Sequence, residues 1–287
     1  MILNQKPKIT IHQSYIRPIL EYASVIYDNC TMTLSDKLEG VQRQAALACT
    51  GAYASTSHNA LLAELGWVRL SVRRECQKLF HMYKMQHGLV PRHLSGICPP
   101  LTQQEITYNL RRSNQIQLPR CRTTLFFKSF LPSTIRLWNG LDPPLRSLPT
   151  LSRFKGNIRL SRLVRTNKLY IVGHGYGALN LGRIRMGLSA LNVHRRKYNF
   201  INHSNCPNCT ATREDPVHFF LDCPRYAAPR QTLLASLALV PLQLPNSPRE
   251  RKSFVHTLTH GSPDLTHEHN YEIIRNVQLY INSTRRF

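Results

Sequence analysis

The sequence predicts a mainly α-helical chain with a few short strands and a small zinc-binding module. Apolar residues recur at intervals of three and four over long stretches, which is the period of an amphipathic helix. Glycine and proline mark the ends of most of these stretches. Three cysteines and one histidine lie within 18 residues near position 210, at spacings typical of zinc ligands.

The first two helices are predicted over residues 8–27 and 34–50. Pro18 lies inside the first, where it is expected to bend the helix or delay its start. The second begins at the pattern Thr33-x-x-Asp36, which resembles a capping box. Both helices carry apolar residues at helical spacing, so each has a face to bury.

The next two helices are predicted over residues 57–65 and 71–87. Gly66 and Gly88 follow them directly and are expected to end them. Three cations of the fourth helix lie off its apolar stripe and are expected in water: Arg73, Arg74 and Lys78.

The middle of the chain is less regular. Short strands are predicted at residues 115–118 and 123–128, and a short helix at 132–138. A basic segment over residues 153–168 then leads to a domain boundary near 165.

The second half is predicted to alternate short elements with basic and polar segments. In order these are a strand at 169–172, a helix at 179–191, a basic run at 194–197, a helix at 229–239, and a polar tail with one amphipathic stretch at 272–281. The chain thus divides into four predicted segments: a helical region (1–100), a connector with short strands and a helix (101–165), a basic helix with the zinc module (166–230), and a C-terminal helix with a polar tail (231–287).

The zinc module is predicted from the motif Cys206-x2-Cys209-x8-His218-x4-Cys223. A Cys-x2-Cys pair places two thiolates on one tight turn, and a short helix brings the histidine and the last cysteine to them. Three thiolates and one imidazole fill a zinc tetrahedron, which indicates a structural rather than a catalytic ion.

The remaining cysteines are scattered rather than paired at ligand spacing: Cys30, Cys49, Cys76, Cys98 and Cys121. Such usage is typical of reduced thiols in an intracellular protein, so we expect a nuclear or cytoplasmic location. The sequence lacks both the apolar core of a signal peptide and the run of about 18 apolar residues of a membrane helix. No membrane partner is therefore expected.

The charge balance indicates a polyanionic partner. The chain has 38 Lys and Arg against 15 Asp and Glu, a formal net charge of +23, and 28 of the cations are Arg. Arginine grips phosphate with a planar fork of donors and stacks on bases, so RNA or DNA is the expected partner. The best candidates for contact crowd the approach to the zinc module: Arg183, Arg185, Arg195, Arg196 and Lys197. Tyr198 and Phe200 lie beside them for stacking.

Catalytic patterns are missing from the sequence. The 15 acidic residues are dispersed without an Asp-Asp pair, and neither a Gly-x-Ser-x-Gly elbow nor a Walker loop occurs. We therefore expect no enzymatic activity and no small-molecule substrate. His256 and His260 are spaced like metal ligands on a helix, but Gly261 and Pro263 follow them, so solvated histidines are expected there.

An ordered series of segments resembles the C-terminal part of non-LTR (LINE-type) retrotransposon reverse transcriptases. The segments are Tyr15–Ser24, Leu38–Ala46, Leu65–Trp67, Arg73–Met85, Arg122–Leu125, Phe130–Ile135, Leu137–Asn139, Leu148–Lys155, Arg183–Ser189 and Cys223–Tyr226. The resemblance covers about residues 10–230 and rests on the order of the set rather than on one motif.

The resemblance implies a thumb, a connector and a CCHC zinc knuckle, with Cys206, Cys209, His218 and Cys223 as zinc ligands. The family's activity is RNA-directed DNA synthesis. The palm with its metal-binding aspartates and the endonuclease would lie before Met1, so this chain is expected to be a fragment that binds nucleic acid without polymerising it. The missing polymerase part of the element is then a further expected partner.

Two other functions stay open from the sequence. A zinc-knuckle module derived from such an element could serve protein interaction or regulation instead, and salt-dependent affinity for nucleic acid would separate the two. A nuclease or residual polymerase is the enzymatic alternative, which the scarcity of acidic residues disfavours.

Overall fold

The computed structural model describes residues 5–97, 99, 115–162 and 175–287. The α-helices of this part of the chain are α1 (Gln5–Ile11), α2 (Arg17–Glu21), α3 (Ser24–Tyr27), α4 (Met32–Thr50), α5 (His58–Leu65), α6 (Leu70–Gln86), α7 (Arg92–Ser95), α8 (Thr124–Lys128), α9 (Phe130–Asn139), α10 (Pro143–Arg146), α11 (Leu151–Arg162), α12 (Tyr176–Arg185), α13 (Asn192–Lys197), α14 (Ala227–Ser236), α15 (Pro248–His260) and α16 (His267–Thr284). The predicted mainly α class is confirmed. None of the described helices combines the length and apolar character needed to cross a membrane.

The described residues form two compact units, each assembled from distant parts of the sequence. The first, here called the knuckle unit, comprises Met1–Ile11, Ala45–Gly66 and Thr166–Phe287. The second, the connector unit, comprises His12–Gln44 and Trp67–Arg165. The division into four consecutive segments that the sequence suggests remains a prediction.

The first predicted helix is broken into three. A π-helical turn over His12–Ile16 separates α1 from α2, and Pro18 lies in the first turn of α2, where its missing N–H costs nothing. Ala23 then adopts a left-handed conformation, with φ of 50°, and separates α2 from α3. The capping box predicted at Thr33 is wrong, because α4 starts earlier and the Thr31 hydroxyl accepts the Leu34 N–H instead.

The next two helices lie where the sequence predicts them. Ser57 caps the start of α5 by accepting the Ala60 N–H, and Gly66 ends the helix in the left-handed region at φ of 62°. Gly88, at φ of 65°, follows the end of α6. Both glycines have backbone conformations that residues with a Cβ rarely adopt.

The two strands predicted in the connector are not formed within the described residues. Residues 124–128 are helical, and the Thr123 side chain caps α8 by accepting the Phe126 N–H. Ile116 forms no more than an isolated β-bridge, and its N–H and carbonyl pair with the side-chain amide of Asn139. The strand predicted at 169–172 lies outside the described residues.

The core of the connector unit forms where α6 packs against α9 and α11. The ring of Tyr83 stacks on Phe154 at 4.7 Å, and its hydroxyl donates to the Leu148 carbonyl. The expectation that Arg74 and Lys78 stay in water is wrong. Both side chains are about 95% buried, because both bind the carboxylate of Asp28.

The C-terminal region of the knuckle unit is a helical core where the sequence predicts a polar tail. α15 begins at a capping box formed by Ser247 and Glu250. α16 packs so closely against α12 that a Cβ on Gly177 would lie 2.5 Å from the Gln278 carbonyl oxygen. The two C-terminal helices bury the following apolar side chains: Phe254, Val255, Leu258, Ile273, Ile274, Val277, Tyr280 and Ile281.

Candidate metal centre

The first two predicted ligands lie on a tight turn. The Cys206 N–H donates to the Ala211 carbonyl at 2.9 Å and closes a loop that contains Cys209. The N–H of Asn208 points at the Cys206 sulfur at 3.5 Å, and the Asn208 amide donates to the Tyr226 hydroxyl at 2.9 Å. These contacts hold both sulfurs on one side of the turn.

The other two ligands flank a π-helical turn, His218–Asp222. Its start is capped by Asp215, whose carboxylate accepts the His218 N–H at 2.9 Å. Its end is closed by Arg230, which donates to the carbonyls of Phe220 and Cys223 at 2.8 and 2.7 Å. The wide turn presents the His218 ring and the Cys223 sulfur on the same side.

The structure brings all four predicted ligands together. Their donor atoms lie within 4.8 Å of one another, and the cluster could hold a metal ion. The Cys206 and Cys223 sulfurs are 3.8 Å apart, and the Cys209 sulfur is 3.4 Å from Nε2 of His218. A zinc tetrahedron with bonds of about 2.3 Å to sulfur places two sulfurs about 3.8 Å apart. The donor set and its spacing therefore fit a closed, four-coordinate ion.

Burial opposes the ionisation of two of the cysteine thiols in the cluster. Burial raises the pKa of Cys206 to about 12, opposed by the hydrogen bond from the Asn208 N–H. Burial likewise raises the pKa of Cys223. A coordinated metal ion reverses this balance, because it holds the sulfurs as thiolates.

The cluster is anchored to the core of the knuckle unit by aromatic side chains. Phe219 is fully buried, and its carbonyl accepts the hydroxyl of Tyr280 from α16 at 2.7 Å. The Phe219 ring lies 5.0–5.3 Å from the rings of Phe220, Tyr226, Tyr280 and Phe287. The cysteine-histidine cluster is thus part of a larger helical core.

Glu214 connects the cluster to its surroundings. Its carboxylate is 1% exposed and accepts two bonds from Arg286 and one from the Asn192 N–H. Asn192 is the first residue of α13, and its side chain also donates to the Asn205 carbonyl, next to Cys206. The start of α13 is therefore fixed to the chain that carries the ligands.

The five predicted nucleic-acid contacts separate into two groups. Arg183 donates to the Gly51 carbonyl, while Arg185 is 3% exposed and pairs with Glu64 at 3.2 Å. The side chains of these two arginines serve contacts within the knuckle unit. The other three are consecutive, exposed residues of α13: Arg195, Arg196 and Lys197.

Sequence reasoning missed the polar side chains around the ligands. Glu214 carried one signal, since it is the first acidic residue after Asp142 in a strongly basic stretch. Arg286 carried none, because its contact with Glu214 spans 72 residues. His256 and His260 stack at 4.3 Å on α15, and the one cluster of three or more metal-ligating side chains found among the described residues is the cysteine-histidine set.

No family model, curated protein or solved structure matches the chain.

Proposed function

We propose that this chain binds RNA or DNA as the thumb, connector and zinc-knuckle part of a LINE-type reverse transcriptase. In this proposal zinc is the ion of the Cys206, Cys209, His218 and Cys223 cluster, and its role is structural. The support for zinc is the donor set, since three thiolates and one imidazole form a complete tetrahedral site that leaves no position for a reacting water.

The observation that carries the proposed binding function is the connection between the metal cluster and α13. Asn192 fixes the start of this helix to Asn205 and Glu214. The exposed cations Arg195, Arg196 and Lys197 follow on the same short helix, and no carboxylate partner is found for them among the described residues. The cluster thus supports an exposed basic surface, whose Lys and Arg side chains can neutralise phosphates.

Aromatic side chains accompany this basic surface. Phe200 is 57% exposed just beyond α13, and its ring lies 5.5 Å from that of Tyr53. An exposed ring beside cations provides a platform on which a base can stack, without preference for one base. We therefore expect affinity for single-stranded segments with weak sequence preference.

The test is the salt dependence of binding. Fluorescence anisotropy with labelled RNA and DNA of mixed sequence is measured between 50 and 200 mM salt. If about 6 to 10 phosphates are neutralised, the affinity falls by about a thousandfold or more over this range. Absent or salt-independent binding would remove the proposed function.

We also propose that the chain does not polymerise DNA by itself. Polymerases hold two metal ions with clustered carboxylates, whereas this sequence has 15 dispersed acidic residues without an Asp-Asp pair. Template-dependent nucleotide incorporation by purified protein, abolished by a substitution within it, would contradict this statement.

One observation favours the alternative role in protein interaction. Five large side chains between residues 15 and 32 are 71–81% exposed: Tyr15, Ile19, Tyr22, Ile26 and Met32. Exposed apolar surface of this extent is typical of contact with another protein. A lack of binding to both RNA and DNA at low salt would favour this alternative.

A further inference from the structure

We propose that the connector unit contains a binding site for a single phosphate group, in a cleft lined by Arg17, Arg73 and Arg159. The floor of the cleft is one face of α6, made by Cys76, Gln77 and Phe80. The site lies in the connector unit, apart from the metal cluster of the knuckle unit, and does not depend on the function proposed above.

The charges around the cleft do not balance. Arg73 is bound at two points by the carboxylate of Glu21. No carboxylate lies within ion-pair distance of Arg17 or Arg159 among the described residues, and none lines the cleft. Two guanidinium groups are thus left to bind an anion.

A further pair does not change this balance. Arg162 lies one turn beyond Arg159 on α11 and holds the carboxylate of Glu75 at 2.9 Å. Glu21 and Glu75 are therefore each bound by an arginine other than Arg17 and Arg159.

Burial and the positive charge of the cleft lower the pKa values of Arg17 and His12. Burial, together with the charge of Arg73, lowers the pKa of Arg17. Burial and then the charge of Arg17 hold the pKa of His12 at about 4. A bound anion would relieve the repulsion between Arg17 and Arg73, which is a source of binding energy.

The size of the cleft suits a small ligand. Its volume is about 250 Å³, below the range of about 300–1,000 Å³ in which drug-sized ligands bind. One phosphate group fits such a space.

The chemistry of the lining selects a tetrahedral oxyanion. Guanidinium groups and the Gln77 amide can donate to several oxygens at once, and arginine matches phosphate oxygens with a planar fork. Arg17, Arg159 and the Gln77 amide together offer enough donors for the oxygens of a phosphate, which has more of them than a carboxylate. Cys76 adds no reactive group, because it is 3% exposed and burial raises the pKa of its thiol.

The phosphate group could come from free phosphate or from the end of a nucleic acid strand. Calorimetric titration of the full chain in phosphate-free chloride buffer uses three ligands in separate arms. These are inorganic phosphate, a dinucleotide with a 5′-phosphate, and the same dinucleotide with a 5′-hydroxyl. Saturable one-to-one binding of inorganic phosphate is expected. Tighter binding of the 5′-phosphorylated dinucleotide would identify a strand end as the source, and a preference for inorganic phosphate would identify the free anion.

The variants Arg17→Gln and Arg159→Gln are each expected to weaken phosphate binding about tenfold, which corresponds to about 1.4 kcal/mol. Arg153→Gln is the matched control, since Arg153 is an exposed arginine of the same helix as Arg159 and does not line the cleft. Circular dichroism checks that each variant is folded. Arg159 is exposed, so its variant decides the matter if Arg17→Gln fails to fold.

Two results would overturn the proposal. One is the lack of saturable phosphate binding by the unmodified chain. The other is an equal loss in Arg153→Gln and Arg159→Gln, which would assign the affinity to the net charge of +23 rather than to the cleft.

Discussion

Arg286 and Glu214 form a two-point ion pair across 72 residues of sequence, with the guanidinium nitrogens 2.6 and 2.7 Å from the two carboxylate oxygens. Arg286 also donates to the Ala190 carbonyl at 2.9 Å. Arg286 thereby ties the segment after α16 to Glu214, which precedes the His218 turn, and to Ala190, which precedes α13.

Replacing Arg286 with Met is expected to destabilise this region by about 3 kcal/mol, because it leaves the buried Glu214 carboxylate with only the Asn192 N–H. Hydrogen exchange of residues 190–214 measures the loss as reduced protection. Arg285→Met is the control, since Arg285 is exposed. Equal protection in the two variants would show that the ion pair does not hold the segment.

Zinc is expected to bind at one ion per chain, and Cys209→Ala or His218→Ala is expected to abolish most of it. Each substitution removes one of four ligands, and binding at such sites is coupled to local folding. Elemental analysis of protein purified under reducing conditions measures the metal content. Acidification should release the ion, because protons compete for the thiolates and the imidazole.

Cys30→Ala is the control for the metal experiment. Cys30 is a half-buried free cysteine of the connector unit, far in sequence from the cluster. It should keep one zinc per chain. Metal-free wild-type protein, or equal loss in the Cys30 variant, would contradict the assignment.

Acid sensitivity is expected to arise in part from His12. This side chain is 2% exposed, stacks on Trp67 at 3.9 Å, and has a pKa of about 4 because of burial and the charge of Arg17. In the unfolded chain its pKa is about 6.5, so the unfolded state binds more protons between these values. Stability is therefore full above about pH 6.5 and falls as the pH drops towards 4.

His12→Phe tests this origin. Phe keeps the stacking on Trp67, and neither ring nitrogen of His12 has a hydrogen-bond partner among the described residues. The variant should lose less stability than the wild type between pH 7 and 4, by up to about 3 kcal/mol. Denaturant unfolding at several pH values measures the difference. Parallel pH profiles of the two proteins would refute it.

The sequence predicts well that the three cysteines and the histidine come together, because such a motif is local. A Cys-x2-Cys turn and a histidine on the following helical turn need only short-range geometry, and the structure brings Cys206 and His218 into one cluster. The helices that end at Gly66 and Gly88 were predictable for the same reason, since a left-handed glycine ends a helix by itself.

Contacts between distant residues were not predictable. Arg74 was expected in water, but Asp28 lies 46 residues earlier and gives its guanidinium a buried partner. The sequence predicts a strand at residues 123–128, but the Thr123 side chain caps a helix there instead. Arg185 forms a buried ion pair with Glu64, 121 residues away, and so does not contribute to the exposed basic surface. In each case one long-range or capping contact overrides the local pattern.

The basic surface of α13 is expected to carry nucleic-acid binding, and the double variant Arg195→Glu, Arg196→Glu tests it. The control must make the same four-unit change in net charge at exposed positions of the knuckle unit. Arg249 and Arg275 meet this requirement, whereas Arg251 pairs with Asp222 in the His218 turn and would disturb the metal cluster.

Both double variants lose some affinity, because long-range attraction depends on total charge. The α13 variant should lose more and should show a shallower dependence on salt, since it also loses direct phosphate contacts. Anisotropy titrations at two salt concentrations measure both quantities. Equal losses and equal salt slopes would assign the binding to bulk charge rather than to α13.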